Sequence, residues 1–297
     1  MTENEFLLAD RIQKIKSINE LYDLENNAYI SYSGGKDSTV LSHLIDEALP
    51  NNKIPRLYLN TGIEYQMVVS FVERERDARI QIVHSKQNIK SMLEKVGYPL
   101  KSKEHSQKVS YYQNSGMGKT VLNYLGQGIK KDFLCPEKLK YNFSPDFKIK
   151  VSDKCCYKLK KEVAEKWAKE NNRPIKITGM RKEEGGLRTS HNTCTIFEEG
   201  NLLKFHPLQP IAEDFIDWYI AEKKIKLCEL YYPPYNFKRT GCKGCPFSLD
   251  LQEQLDLMSV LLPAEKKQCE IIWKPVYEEY RRIGYRLRKE NQPSLFE

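Results

Sequence analysis

Tyr29-Ile-Ser-Tyr-Ser-Gly-Gly-Lys-Asp-Ser-Thr-Val-Leu41 is the stretch around which the chain is organised. An apolar, β-prone run from Ala28 to Tyr32 stops at Ser33-Gly34-Gly35-Lys36-Asp37-Ser38. Val40, Leu41, Leu44, Ile45, Ala48 and Leu49 then recur at helical spacing. A strand, a glycine turn and a helix N-terminus in succession make an anion site. The two glycines let the backbone approach a ligand with its N–H groups turned inward, and the helix dipole favours negative charge there. Lys36 adds a mobile cation, and Ser33 and Ser38 add hydroxyls. The spacing is not that of a Walker A loop, which needs Gly-x4-Gly-Lys-Ser/Thr.

Working outward, residues 5–22 carry Phe6, Ile12, Ile15, Ile18, Leu21 and Tyr22 at three- and four-residue spacing, which predicts an amphipathic helix before the first strand. Arg56–Asn60 reads as a second strand running into Asn60-Thr61-Gly62-Ile63-Glu64. A helix is expected over 65–77, a third strand over Ile80–Val83 and a fourth over Ile175–Thr178, which ends in Gly179-Met-Arg181. Strands alternating with helices predict an α/β fold with a Rossmann-like parallel sheet flanked by helices. Ligands of such sheets collect beyond the C-terminal ends of the strands, where both turns fall. Further helices are expected over 158–170 and 212–223, and two more over 251–288, split at Pro263. The expected division is an N-terminal helix (1–24), a main domain (25–250) containing a lysine-rich insertion or lid (85–153), and a C-terminal helical extension (251–297).

The 297 residues, 40% hydrophobic and 30% charged, suit a globular chain with a substantial core. No apolar run long enough to cross a membrane is present, and the first residues lack a signal-peptide core, so a cytoplasmic protein is expected. The net charge of +8 is concentrated in one region. Residues 85–161 hold seventeen lysines, no arginine and six acids, a local balance of +11, with nine aromatics interleaved. That combination suits a polyanion with stackable bases, and a nucleic-acid acceptor is the partner it suggests. A solvated lysine-rich surface is the plainer alternative.

Eight cysteines in a reducing compartment point to thiols or metal ligands. Cys155-Cys156 are adjacent, and Cys242-Lys-Gly-Cys245 is a Cys-x2-Cys pair. Together they could supply four thiolates to one centre. Vicinal cysteines suit a zinc knuckle poorly, whereas iron–sulfur clusters accept many spacings; reduced structural thiols are the third reading. Cys135, Cys194, Cys228 and Cys269 stand alone.

The Ser33–Ser38 loop is similar to the PP-loop of the ATP pyrophosphatases, which implies a grip on the β,γ-pyrophosphate of ATP with Mg²⁺. Read in order, the chain resembles the phosphoadenylylsulfate (PAPS/APS) reductase superfamily over about residues 25–250. The carrying pieces are that loop, Asn60-Thr61-Gly62, Cys155-Cys156, Gly179-Met-Arg181 through Arg188, Pro207-Leu208, Trp218 and Gly241-Cys242-x2-Cys245. The resemblance implies an adenine-nucleotide-hydrolase-like fold and a nucleotide site made by Ser33, Gly34, Gly35, Lys36, Asp37, Ser38, Asn60, Thr61, Gly62, Gly179, Arg181 and Arg188. It further implies a 4Fe–4S cluster on Cys155, Cys156, Cys242 and Cys245. Lys36 and Asp37 are the expected catalytic pair.

Two features depart from the reductases. Their loop lacks the lysine, because the substrate is already an adenylate, and their nucleophilic thiol sits in a Glu-Cys-Gly-x-His tail. This chain keeps Lys36 and ends Asn291-Gln-Pro-Ser-Leu-Phe-Glu297. An intact loop with reductase-type cysteines is more similar to the iron–sulfur PP-loop sulfur-transfer proteins, which act in DNA phosphorothioation and, more distantly, tRNA thiolation. The implied activity is adenylation of an acceptor followed by sulfur transfer, with a sulfur donor such as a cysteine desulfurase as partner. Reduction of adenylylsulfate or its 3′-phosphate with an external thiol is the first alternative. A non-catalytic nucleotide- and nucleic-acid-binding component of a modification or defence system is the second.

Overall fold

Strand β1 (Ala28–Tyr32) is buried on both faces apart from Ser31, the mark of a central strand in a parallel sheet. In the computed structural model, which describes residues 2–85, 87–129, 134–184 and 193–289, it pairs in parallel with β2 (Arg56–Asn60) on one side and β4 (Ile175–Ile177) on the other. Beyond β2 lies β3 (Ile80–His84), again parallel. Beyond β4 comes a hairpin of β5 (Thr195–Glu198) and β6 (Asn201–Phe205), with β6 parallel to β4 and β5 antiparallel at the edge. The order is β3-β2-β1-β4-β6-β5.

The fold is therefore α/β, with a mostly parallel sheet flanked by helices. Successive β1 side chains serve opposite faces. Ile30 joins the large core with the Glu3–Tyr22, Lys36–Ala48 and Glu213–Glu222 helices, whereas Tyr29 packs with Leu57, Ala164 and Trp167. The sequence pattern located β1 to β4 within a residue at each end. It missed the hairpin, whose tight turn is made by Glu199 and Gly200, both at positive φ.

The chain separates into two compact units: residues 1–85 with 162–241, and residues 86–161 with 242–297. The first holds the sheet. The second is helical, and the 85–153 stretch, expected as a lysine-rich insertion or lid, has among its described residues helices at Ile89–Val96, Lys103–Ser115 and Lys119–Tyr124 and a 3-10 turn at Glu137–Phe143. Over residues 251–288 the chain forms three helices where two are expected: Leu251–Leu261, Pro263–Ile272 and Lys274–Ile283. The extra break follows from a second proline, Pro275, in the first turn of the last helix, where it lacks the N–H an unbroken helix would need. A relay runs through the interior of this unit. Lys101 donates to Tyr124 Oη at 3.1 Å, Tyr124 meets His105 Nδ1 at 3.0 Å, and His105 Nε2 meets Asn142 Oδ1 at 3.1 Å. Burial is the main force lowering the pKa of His105, to about 4, so the ring is neutral at physiological pH.

No helix among the described residues is long and apolar enough to cross a membrane.

Candidate functional site

Glycine at 34 is required twice over. Its φ is +68°, and a Cβ there would lie 2.7 Å from Val72 Cγ2 and 2.9 Å from Val68 Cγ1 of the Gln66–Arg74 helix. Gly35 caps the next helix, and that helix begins at Lys36. Hydroxyls occupy the loop's N–H groups. Ser33 N–H donates to Ser38 Oγ (3.1 Å), Gly35 N–H to Ser33 Oγ (3.3 Å) and Lys36 N–H to Tyr231 Oη (2.9 Å). Tyr231 Oη is in turn 2.9 Å from Thr240 Oγ1. Hydroxyls rotate and exchange partners readily, so donors held this way are available to an incoming oxyanion.

The Asn60–Glu64 turn leaves the sheet from β2, the neighbour of β1, so both turns sit at the C-terminal edge of the strands. Glu64 braces the turn by accepting from Thr61 N–H at 2.8 Å and from Thr61 Oγ1 at 3.0 Å, and Gly62 N–H donates to Asn60 Oδ1 at 3.1 Å. From β4 comes Gly179, where a Cβ would stand 2.8 Å from Asp37 O. Arg181 follows, only 4% exposed, with Nε donating to Asp37 Oδ1 at 2.8 Å and Nη1 to Glu183 Oε2 at 3.0 Å. The structure thus brings Gly179 and Arg181 onto the first turn of the Lys36–Ala48 helix across more than 140 residues of sequence. Arg188 lies outside the described residues.

Glu213, at the start of its helix, went unnoticed in the sequence. Its carboxylate accepts from both Lys36 and Arg181, and Lys36 also reaches Asp217 Oδ1 at 3.2 Å. Burial works to lower the pKa of Lys36, but the two carboxylates outweigh it and the net shift is upward. Burial likewise works to raise that of Glu213, and Lys36 and Arg181 reverse it, so the net shift is downward. The cleft here holds about 690 Å³, and its lining includes Lys36, Asp37, Arg181, Glu213, Asp217 and Arg239. Acids in the first turn of a helix are commonplace, so no sequence signal marked Glu213 for this role.

Substitutions at the glycines test the packing. Gly179→Ala is expected to push the Asp37 backbone away and cost roughly 1–3 kcal/mol, the usual range for forcing atoms into filled space. Urea denaturation should show the loss. An unchanged midpoint would mean that the Gly179–Asp37 approach is looser than described.

In the helical unit, Cys155 and Cys156 open a helix that runs on through a π-type turn at Tyr157–Lys161. The chain before them is tied down by Tyr98 N–H to Lys150 O (2.8 Å), Ser152 N–H to Tyr98 O (2.9 Å) and Val151 N–H to Gln113 Oε1 (3.0 Å). The two Sγ atoms are 3.9 Å apart. Contact with Cys156 is the main force raising the pKa of Cys155, followed by burial and then by the Cys245 and Cys242 thiols, so Cys155 lies within electrostatic reach of the other three. Cys156 is shifted downward, first by the Cys155 hydrogen bond and then by Lys103, Lys160 and Lys161. Among the described residues, no three His, Cys, Asp or Glu side chains are grouped to hold a single metal ion. A cubane takes one thiolate at each of four separate irons, so its ligands need not converge on one point. Two cysteine pairs near one another, with Lys103, Lys160 and Lys161 beside Cys156, are a donor set that a cationic cluster fits once the thiols are deprotonated.

Sequence comparison gives a match to the family described as "Phosphoadenosine phosphosulfate reductase domain" over residues 27–122 and 130–248. No curated protein matches the chain. Similar solved structures include the phosphoadenylyl-sulfate (PAPS) reductase of Candida auris in a phosphate complex (15% identity, 77% of this chain and 87% of that one, TM-score 0.43). Another is the U34-tRNA thiolase NcsA of Methanococcus maripaludis with its 4Fe-4S cluster (16% identity, 95% and 80%, TM-score 0.40). A third is the NH3-dependent NAD synthetase of Campylobacter jejuni in complex with nitrate (14% identity, 100% of both chains, TM-score 0.42).

Proposed function

The chain belongs to the phosphoadenosine phosphosulfate reductase domain family, and from that premise we propose that it is an ATP-binding enzyme that adenylates an acceptor and supports sulfur transfer. The observation that carries this reading is the Lys36 ammonium, set at the N-terminus of the PP-loop helix and turned into the cleft beside Arg181. A preformed adenylate gives that lysine no pyrophosphate to hold, whereas ATP does. In the proposed reaction an acceptor oxygen attacks the α-phosphorus and the bond to the pyrophosphate oxygen breaks. Lys36, Ser33, Ser38 and the loop N–H groups hold the departing pyrophosphate with Mg²⁺. Arg181, and Arg188 from the same segment, would hold the remaining phosphate, with Asn60, Thr61 and Gly62 beside the nucleotide. Asp37 orients Arg181.

Cys155, Cys156, Cys242 and Cys245 would hold a 4Fe–4S cluster, which when bound supplies a site able to carry or activate sulfur. The lysine-rich stretch 85–161 is the proposed nucleic-acid contact, and a desulfurase-type protein the proposed sulfur source. Pyrophosphate should form from ATP when acceptor is present, and AMP in equal amount once a sulfur donor is added, because the adenylate leaves only when sulfur displaces it from the acceptor. Formation of ADP and phosphate would contradict the reading. Reduction of a sulfonucleotide is favoured only by the family itself; sulfite released from phosphoadenylylsulfate with an external thiol would establish it.

Glu213 competes with the nucleotide's phosphates for Lys36 and Arg181. Glu213→Gln should therefore tighten binding of ATP or pyrophosphate several-fold, on the order of 1 kcal/mol, as titration calorimetry would read. Weaker binding would mean that Glu213 chiefly orients Arg181. Stability carries the opposite sign. Above the ordinary value of 4.5 the carboxylate is charged and its ion pairs contribute in full; the contribution is lost as pH falls through the lowered folded value. Urea midpoints of wild type and Glu213→Gln should converge in acid. The gap at neutral pH should stay below about 1 kcal/mol, because the side chain is 41% exposed.

A further inference from the structure

The family match ends at residue 248, yet side chains from beyond that point bond three carbonyls of the segment that carries Cys242 and Cys245. Trp273 Nε1–H donates to Lys243 O at 3.1 Å, and Tyr277 O–H donates to Gly244 O. Pro246 O accepts from Tyr280 O–H at 3.0 Å and from Arg286 Nη1 at 2.6 Å. Lys243, almost fully buried between the two cysteines, donates to Gln268 Oε1 at 2.6 Å and to the Glu265 carboxylate. Gly244 sits at φ +57°, with the place of a Cβ taken by Tyr277 Oη, Cys269 Sγ and Cys269 Cβ.

Trp273, Tyr277 and Tyr280 are themselves buried to within 2%. A buried carbonyl without a donor is costly, so each of these donors fixes the orientation of one peptide plane in the turn. The fixed planes at Gly244 and Pro246 bracket Cys245 and limit the direction in which its thiol leaves the backbone, and the plane at Lys243 fixes the path of the turn between it and Cys242. Buried Trp and Tyr rings ordinarily give their N–H or O–H to some partner, and what marks this core is that three of them converge on one turn. Here the three large rings each spend their polar atom on a carbonyl of a five-residue segment, and a buried lysine is paired beneath it.

We propose that the helices Pro263–Ile272 and Lys274–Ile283 are a positioning clamp for the Cys242–Cys245 turn, with Trp273, Tyr277 and Tyr280 as the positioning residues. Its bearing on a 4Fe–4S cluster rests on the reading above; the clamp itself is a property of this chain's own residues and is testable without iron.

The test uses the full chain with iron removed, comparing wild type with Tyr277→Phe and Tyr280→Phe, each of which keeps the ring and deletes one donor. Cysteine alkylation is followed site by site by mass spectrometry, together with amide hydrogen exchange. Cys242 and Cys245 should be alkylated roughly tenfold faster or more in each variant, the scale of one buried carbonyl losing its donor. Cys155 and Cys156 should keep their wild-type rates, and amide exchange should rise only over the turn in Tyr277→Phe, and over the turn and at Lys101 in Tyr280→Phe, because the Tyr280 hydroxyl also accepts from Lys101 N–H at 2.6 Å. Equal acceleration at all four cysteines would reveal general loosening and overturn the clamp, as would unchanged rates at Cys242 and Cys245. Should one phenylalanine variant fail to fold, the other, or Trp273→Phe, reads the same contrast. Iron retention against a chelator is then measured on anaerobically loaded protein. Faster loss from the variants is expected, and a wild type that never takes up iron removes the cluster reading while leaving the alkylation result standing.

Discussion

Lys36→Ala is expected to weaken ATP binding roughly 10- to 100-fold, the range for losing a hydrogen bond to a charged group worth about 1.5–3 kcal/mol. The loss should be larger for turnover than for binding, because the charge on the leaving pyrophosphate grows as its bond to the α-phosphorus breaks. The folded state should tolerate the change. Lys36 gives up ion pairs to Glu213 and Asp217, but its ammonium is mounted on a mobile stem at the cleft, and Arg181 still satisfies Glu213. Calorimetry on the variant separates the two effects: weaker ATP binding with an unchanged melting temperature is the expected pair. ATP binding equal to wild type would mean that the Ser33–Ser38 loop does not hold the β,γ-phosphates.

The second large effect concerns the thiols. Serine in place of any one of Cys155, Cys156, Cys242 or Cys245 is expected to abolish absorbance near 400 nm, roughly where thiolate-bound iron–sulfur centres absorb. Iron should fall to background. The melting temperature should fall by roughly 5–10 °C, since metal binding contributes to folding and each kcal/mol is worth about 2–4 °C in a chain of this size. Both cysteine pairs belong to the helical unit, so the loss should loosen the Cys155–Lys161 turn and the Cys242–Cys245 turn together. Cys135→Ser, Cys194→Ser, Cys228→Ser and Cys269→Ser should keep the colour. Colour that survives in a Cys155→Ser, Cys156→Ser double variant would contradict the ligand set, and stoichiometric zinc without iron would contradict the cluster.

The sheet and the phosphate loop were legible in the sequence because their signals are local. A β-prone run, two glycines and a helical repeat all lie within residues 28–49, and the β2 to β4 segments carry the same strand-to-turn signature. The hairpin Thr195–Phe205 carries no such signal, because its strands are only four and five residues long and Thr195-Ile-Phe-Glu198 puts two apolar residues side by side, so neither shows an alternation. What the sequence hid is the long-range wiring. Glu213 meets Lys36 across 177 positions and Tyr231 meets the Lys36 N–H across 195, and no spacing rule reaches so far. The C-terminal helices were visible as helices, yet nothing in their pattern says that Trp273, Tyr277 and Tyr280 turn their polar atoms onto one short turn. Their rings satisfy the same apolar periodicity as any core residue.

Whether the cleft takes ATP or a preformed adenylate is settled most directly by competition. A fluorescent adenine nucleotide bound to anaerobically purified protein is displaced in turn by ATP, pyrophosphate and phosphoadenylylsulfate, with wild type and Lys36→Ala side by side. An ATP-binding loop predicts displacement by ATP and by pyrophosphate alone, with the pyrophosphate effect lost in Lys36→Ala. Displacement by phosphoadenylylsulfate with no response to pyrophosphate, in both proteins alike, would contradict it.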